Sequence, residues 1–184
     1  MRCWLLVLCS LLAASAWADE RVPICHGYGC LVQEQILYSD ARLAEVGHML
    51  NAAVNAAEER KSIAEVIGQL YAWGGEQSDI RNDRGGNYAD AGIPGMMDCI
   101  DHSTSTTRLL AMLEGRGYLR WHRVLGPEPR YFAFVIVNHY TAVIEEKMDG
   151  EAARFAVDSW FVDNGQPAVI LPLVEWKKGA GPDV

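Results

Sequence analysis

Apolar residues recur at helical spacing over three stretches of this chain, and the pattern turns strand-like toward its C-terminal end. Ser39-Asp40 predicts a helix start, followed by Leu43, Val46, Met49, Leu50 and Val54 on one stripe. A turn over 51–55 leads to a second helix, opened by Asn55-Ala-Ala-Glu58 as a capping box. Ile63, Val66, Ile67, Leu70 and Tyr71 give that helix its buried face, and Gly74-Gly75 ends it. The two form an N-terminal helical hairpin that serves as scaffold. A third helix is predicted over 97–115, with its polar start at Asp98 and its stop at Gly115. Cys99, Ser103, Thr106, Leu110 and Leu113 fall on one of its faces, so small residues precede leucines along the contact.

Beyond Gly117 the pattern predicts strands at 119–125 and 131–137, then 139–147 as a continuation or a new strand. Others follow at 154–161 and 168–171. Met148-Asp149-Gly150-Glu151 supplies a hairpin turn, and Pro172 starts a short closing helix. Helices first and antiparallel strands afterwards define an α+β fold with the central helix packed on the sheet.

Three stretches lack either period. Residues 1–18 carry Arg2, a short apolar run and Ala16-Trp17-Ala18, the pattern of a cleaved signal peptide. The run is too short for a membrane span, so no stable membrane insertion is expected after its removal. This makes the protein exported, periplasmic or secreted, with residues 19–184 as one domain. Residues 19–38 form an irregular lead. Residues 77–97 hold four glycines and a proline, a long loop expected to wall a cleft. In it Asn82 and Asn87 are candidate oxyanion donors, or else simply turn residues.

The charge excludes some partners. With 24 acidic against 16 basic residues the formal net charge is −8, one unit more negative without Arg2. No basic cluster offers a surface to nucleic acid. Cysteine usage changes the picture more. After residues 1–18 are set aside, Cys25, Cys30 and Cys99 remain. Cys25 and Cys30 are close enough to bridge in an oxidising compartment, with two glycines easing the loop. A metal site at Cys25, His26 and Cys30 is the weaker alternative, for want of a fourth ligand. Cys99 is left as the odd thiol, a flag for a reactive group.

A thiol at a helix N-terminus feels the positive end of the helix dipole, which favours the thiolate. His139 opens one strand and Asp158 lies in the next, nearly equidistant from Asp149. A hairpin turning there sets them almost opposite, about 5 Å apart at Cβ. That suits an Nδ1–H bond to the carboxylate and leaves Nε2 for the thiol. Nucleophile, base and orienting acid are the parts of cysteine acyl transfer.

In this order the residues resemble the transglutaminase-like and papain-like cysteine hydrolases. Asp98-Cys99 with Asp101 is similar to the bacterial transglutaminase-like cysteine proteinases, and His139-Tyr-Thr-Ala-Val resembles their histidine strand. Asp158-Ser159-Trp160 is similar to the Asn-Ser-Trp segment of papain enzymes, which implies that Trp160 shields the bond between the acid and His139. The resemblance covers about residues 95–161. The papain signature around the cysteine is absent, which sets the chain nearer the compact bacterial members. It implies a papain-like/transglutaminase-like core, no cofactor, and a peptide or protein substrate. Cell-wall peptide is one that the exported compartment offers. The alternatives are an inactive exported binding protein of the same fold and, less favoured, a zinc protein using Cys99, His102 and His139. His122 is expected to face solvent.

Overall fold

A computed structural model describes residues 18–132, 136–147 and 152–182. Residues 1–17 of the signal peptide expected over 1–18, and the turn expected at 148–151, lie outside the described residues, as does the 133–135 part of the strand expected over 131–137. The chain runs β1 (Glu20–His26), β2 (Val32–Tyr38), α1 (Asp40–Asn51), α2 (Ala56–Gly75) and a 3-10 turn (Asp79–Asn82). It continues with α3 (Cys99–Gly115), β3 (His122–Phe132), β4 (Ile136–Glu146), β5 (Arg154–Asp158), β6 (Val169–Pro172) and α4 (Leu173–Lys177). This is a mixed α+β fold with two antiparallel sheets, β1-β2 and β3-β4-β5-β6. No helix among the described residues is long and apolar enough to cross a membrane.

The predicted helix boundaries follow from capping. Ser39 Oγ accepts from the Arg42 N–H, and Asn55 Oδ1 accepts from the Glu58 N–H at 2.9 Å. The return half of the expected box differs, since Glu58 accepts from the Val54 N–H instead. On α1 the stripe is narrower than expected: Leu43, Val46 and Leu50 are buried, while Met49 and Val54 are exposed. The lead over 19–38 is not irregular but a β-hairpin, in which Val22 and Ile24 alternate into the core with Ile36 and Tyr38. In β2 four successive residues, Val32 to Gln35, are exposed whichever way they point, so no period of two stands out.

Where separate strands were expected at 119–125 and 131–137, one strand, β3, runs from His122 to Phe132 through Gly126, Pro127 and Pro129, and residues 136–137 belong to β4. Its register shifts between Leu125 and Glu128, where a bulge absorbs Pro127. Prolines are tolerated because β3 is an edge strand. His122, expected in solvent, is fully buried. Its Nδ1 lies 2.7 Å from Glu59, whose carboxylate also accepts the Arg120 and Trp121 N–H groups.

Alternation along β4 assigns its two faces. Ala142 and Ile144 pack with Leu109, Leu110 and Leu113 of α3 and with the apolar faces of α1 and α2. Each of those leucines contributes roughly 1.5–3 kcal/mol by burial. Val143 faces the other way, into a smaller cluster with Ala156, Trp160, Phe161, Leu173 and Trp176. His139 and Thr141 share that second face by the two-residue period of a strand. The N-terminal end of α3 reaches it too, because Cys99 packs against this smaller cluster.

Candidate active site

Asp98 is the N-cap of α3. Its Oδ1 accepts the N–H groups of Ile100 and Asp101, and Asp101 Oδ2 accepts the Asp98 N–H at 3.1 Å. This capping box fixes Cys99 as the first helical residue. The thiol is half-buried beside β4, where the backbone N–H of Tyr140, the residue after His139, favours its thiolate. Burial pushes the Cys99 thiol up, and the Asp98 and Asp158 charges add to the rise. The N–H groups of Tyr140 and of Cys99 itself pull the other way. The helix terminus alone was expected to favour the thiolate; apolar burial beside two carboxylates outweighs it.

His139 is fully buried, and its Nε2 lies 2.8 Å from Asp158 Oδ2. The nitrogens are therefore exchanged relative to the expected arrangement: the acid holds Nε2, and Nδ1 is the one with no hydrogen-bond partner among the described residues. The register differs as well. Ala142 opposes Val157 and Val143 opposes Ala156, so continuing the ladder sets Asp158 against Thr141, two residues from His139. An offset of two keeps both side chains on one face, at diagonal reach.

Four aromatic rings and a backbone amide complete the surroundings. The rings of Trp160, Phe161 and Trp176 lie 4.8, 5.5 and 5.6 Å from the His139 ring. The Trp176 indole N–H donates to Asp158 Oδ2 at 2.8 Å, and the Trp160 N–H donates to Oδ1 at 3.2 Å. Exposed Tyr88, from the long loop, sets its ring 4.6 Å from that of Trp160, tilted by 55°. Trp176 was missed from sequence, where it is one residue of a short polar-looking helix, with no spacing that ties it to Asp158.

The long loop does lie against this region: the Gly86 N–H bonds Trp160 O, and the Gly85 N–H bonds Asp163. The two asparagines are bonded within the loop. Asn82 donates to Pro94 O, while Asn87 donates to Asp90 and accepts from the Ala89 N–H. These are turn-stabilising bonds. Gly95, at φ +87°, sits where an added Cβ would lie 1.9 Å from Asp79 O.

Behind the site is a buried polar network. His102 Nε2 lies 2.9 Å from Asp83 Oδ2, and Nδ1 lies 2.9 Å from Ser159 Oγ. Ser159 Oγ is 2.9 Å from Thr106 Oγ1, which is 3.0 Å from the Tyr71 hydroxyl. Asp83 also accepts the Met97 N–H. Both nitrogens of His102 are thus engaged away from Cys99, which argues against the metal set Cys99, His102 and His139. Cys25 and Cys30 form a disulfide with Cα atoms 4.7 Å apart. With Asp101 they are the one gathering of potential ligand atoms among the described residues, within 4.8 Å, but the disulfide ties up both sulfurs. Ser159, with Asp158 and Trp160 on either side, joins this network to the His139 cluster.

Compared with protein-family models, curated proteins and solved structures, the chain matches none.

Proposed function

We propose that this chain is an exported cysteine hydrolase or amide transferase with a transglutaminase-like/papain-like core, acting on peptide or amide bonds. The observation that carries the reading is the buried His139–Asp158 bond of 2.8 Å, which leaves His139 Nδ1 without a partner among the described residues, on the strand whose Tyr140 N–H favours the Cys99 thiolate. Asp158 accepting from Nε2 selects the tautomer whose Nδ1 lone pair is free to take a proton. In the proposed step the Cys99 proton passes to Nδ1, and the imidazolium is stabilised by Asp158. The thiolate attacks the carbonyl carbon, and the Cys99 N–H at the helix start receives the oxyanion. Nδ1–H then protonates the leaving amine, and water or an acceptor amine releases the acyl group. Trp160 and Trp176 keep water from the His139–Asp158 bond. The disulfide agrees with an oxidising compartment.

The raised thiol sharpens this reading: a thiolate at Cys99 needs the His139 imidazolium as its partner. Alkylation of Cys99 across pH tests it. Wild type should react well below the range of an ordinary thiol, and His139→Ala should lose that low-pH reactivity. An identical profile in both refutes the pair. The second reading, an inactive binding protein of the same fold, is favoured by the loop-bonded asparagines, which leave the side-chain half of an oxyanion hole unassigned. Peptide cleavage lost in Cys99→Ala supports the enzyme. Absence of cleavage by both, with a partner retained, supports the binder.

A further inference from the structure

The disulfide loop is held in a conformation its residues do not favour, and its donors are aimed at the helix start that carries Cys99. Gly27, Tyr28, Gly29 and Cys30 all have positive φ, at 81°, 70°, 64° and 59°. For Tyr28 and Cys30 the left-handed region is unfavourable, because Cβ crowds the following carbonyl oxygen. Four successive left-handed residues turn backbone N–H groups to one side, forming an anion-binding concavity. The anions are the two capping carboxylates of α3. The Tyr28 and Cys30 N–H groups donate to Asp101 at 2.8 and 2.7 Å, and the Gly29 N–H donates to Asp98 at 3.0 Å. Asp101 is fully buried, so losing two of its three N–H donors would leave an under-bonded carboxylate inside the protein.

The two sulfurs are not equivalent. Cys25 is fully buried, and the Arg108 guanidinium lies 3.3 Å from its sulfur. Cys30 is half-buried, the more exposed residue of the pair. A cation beside a sulfur favours its thiolate, and the better-stabilised thiolate is the better leaving group. We propose that Cys25–Cys30 is a redox-active bond, opened by a dithiol reductant that attacks Cys30 while Cys25 departs beside Arg108, and that opening it loosens the start of the Cys99 helix. A reductant thiolate forms a bond to Cys30 Sγ, and the Cys25–Cys30 bond breaks with its electron pair on Cys25. The second reductant thiol gives up its proton and displaces Cys30 from the mixed disulfide. The reductant leaves as a disulfide, having supplied two electrons, and its two protons balance the two cysteine sulfurs. The effect on Cys99 rests on the Cys99–His139 pairing proposed above; the polarity of the disulfide does not.

The test uses the full chain, purified oxidised and equilibrated in dithiothreitol redox buffers, with the Cys25/Cys30 state read by alkylation and mass spectrometry. Arg108→Gln should make the bond about tenfold harder to open, a shift of about 30 mV, and Arg108→Lys should restore most of the difference. An unchanged midpoint in Arg108→Gln overturns the proposal. Since that variant can misfold, a second measurement uses the wild type. A thioredoxin-type reductant lacking its second cysteine should be trapped on Cys30, and trapping on Cys25 refutes the polarity. Finally, Cys99 alkylation at pH 6 relative to pH 9 should drop in the opened wild type, and an equal ratio in both forms refutes the coupling. If the oxidised wild type already shows an ordinary thiol profile, the Cys99–His139 reading fails while the midpoint and trapping results still decide the redox claim.

Discussion

Replacing Ser159 by alanine removes one oxygen and tests whether the buried network fastens Asp158 to the helix that begins at Cys99. Ser159 Oγ makes contacts of 2.9 Å to His102 Nδ1 and 2.9 Å to Thr106 Oγ1. Ser159 and His102 are each only 4% exposed, so bulk water does not replace the lost partner. Two buried hydrogen bonds at about 0.5–1.5 kcal/mol each, plus about 1–3 kcal/mol for leaving the His102 nitrogen unpaired, give about 2–6 kcal/mol. The adjoining cavity, lined by Tyr71, Asp83, His102 and Ser159 among others, holds about 10 Å³, around the minimum for a water molecule. A water entering the vacated space would bring the loss to the lower end of that range. For a chain of this size, 2 kcal/mol lowers Tm by about 4–8 °C. Urea denaturation of Ser159→Ala measures the loss directly, with an unchanged m-value as the sign that only stability has moved. Alkylation at Cys99 then reports whether the site has shifted. A loss under about 0.5 kcal/mol would mean the network carries no load, and the link between the two clusters would be abandoned.

Other predictions come from single residues. Trp176→Phe keeps a ring beside His139 but removes the N–H donor to Asp158, a charge-assisted bond worth about 1.5–3 kcal/mol; an unchanged denaturation midpoint would contradict it. Gly95→Ala should cost more than 3 kcal/mol, because backbone strain adds to a collision with Asp79 O, whereas Gly92→Ala, at φ +92° with open space around it, should cost about 1 kcal/mol. Equal Tm shifts for the two would refute that steric account. Burial alone would raise the Glu59 carboxyl, but the bonds from His122 and from the Arg120 and Trp121 N–H groups hold it below the usual carboxylate range. Its stabilisation is therefore full above the unfolded pKa and lost as pH falls through the folded one. Denaturation of Glu59→Gln between pH 3 and 7 should show about 3–5 kcal/mol lost at neutral pH and a narrower gap in acid; a constant gap would contradict the linkage.

How much of this was legible in the sequence depended on where the deciding contacts lie. Helix starts at Ser39, Asn55 and Asp98 were readable because a cap is a bond between neighbours in the chain. The β1-β2 hairpin was not, since the successive exposed residues Val32 to Gln35 in β2 hide the alternation. The register of β4 against β5 was displaced by two residues from a turn-centred count, yet parity kept His139 and Asp158 on one face. Trp176 and the Asp83–His102–Ser159 contacts join positions far apart in the chain, and no local spacing announces them. His122 misled for the same reason: its partner, Glu59, belongs to a helix two elements earlier.

The sign of the Cys99 shift determines how the site must work if it works as proposed. A helix terminus offers the sulfur its own N–H, and β4 offers the Tyr140 N–H, but burial against the small cluster and the charges of Asp98 and Asp158 prevail. Asp158 cannot favour a lone thiolate, since both would be negative; it favours the sulfur's charge only through an imidazolium between them. Removing Asp158's charge should therefore act in opposite directions in two backgrounds. With His139 present, Asp158→Asn weakens the imidazolium and so raises the pH at which Cys99 reacts. With His139→Ala, the same change removes a repelling carboxylate and lowers it. Alkylation profiles of the two single variants and the double variant measure this directly, and a shift of the same sign in both backgrounds would sink the idea that His139 stands electrically between sulfur and acid.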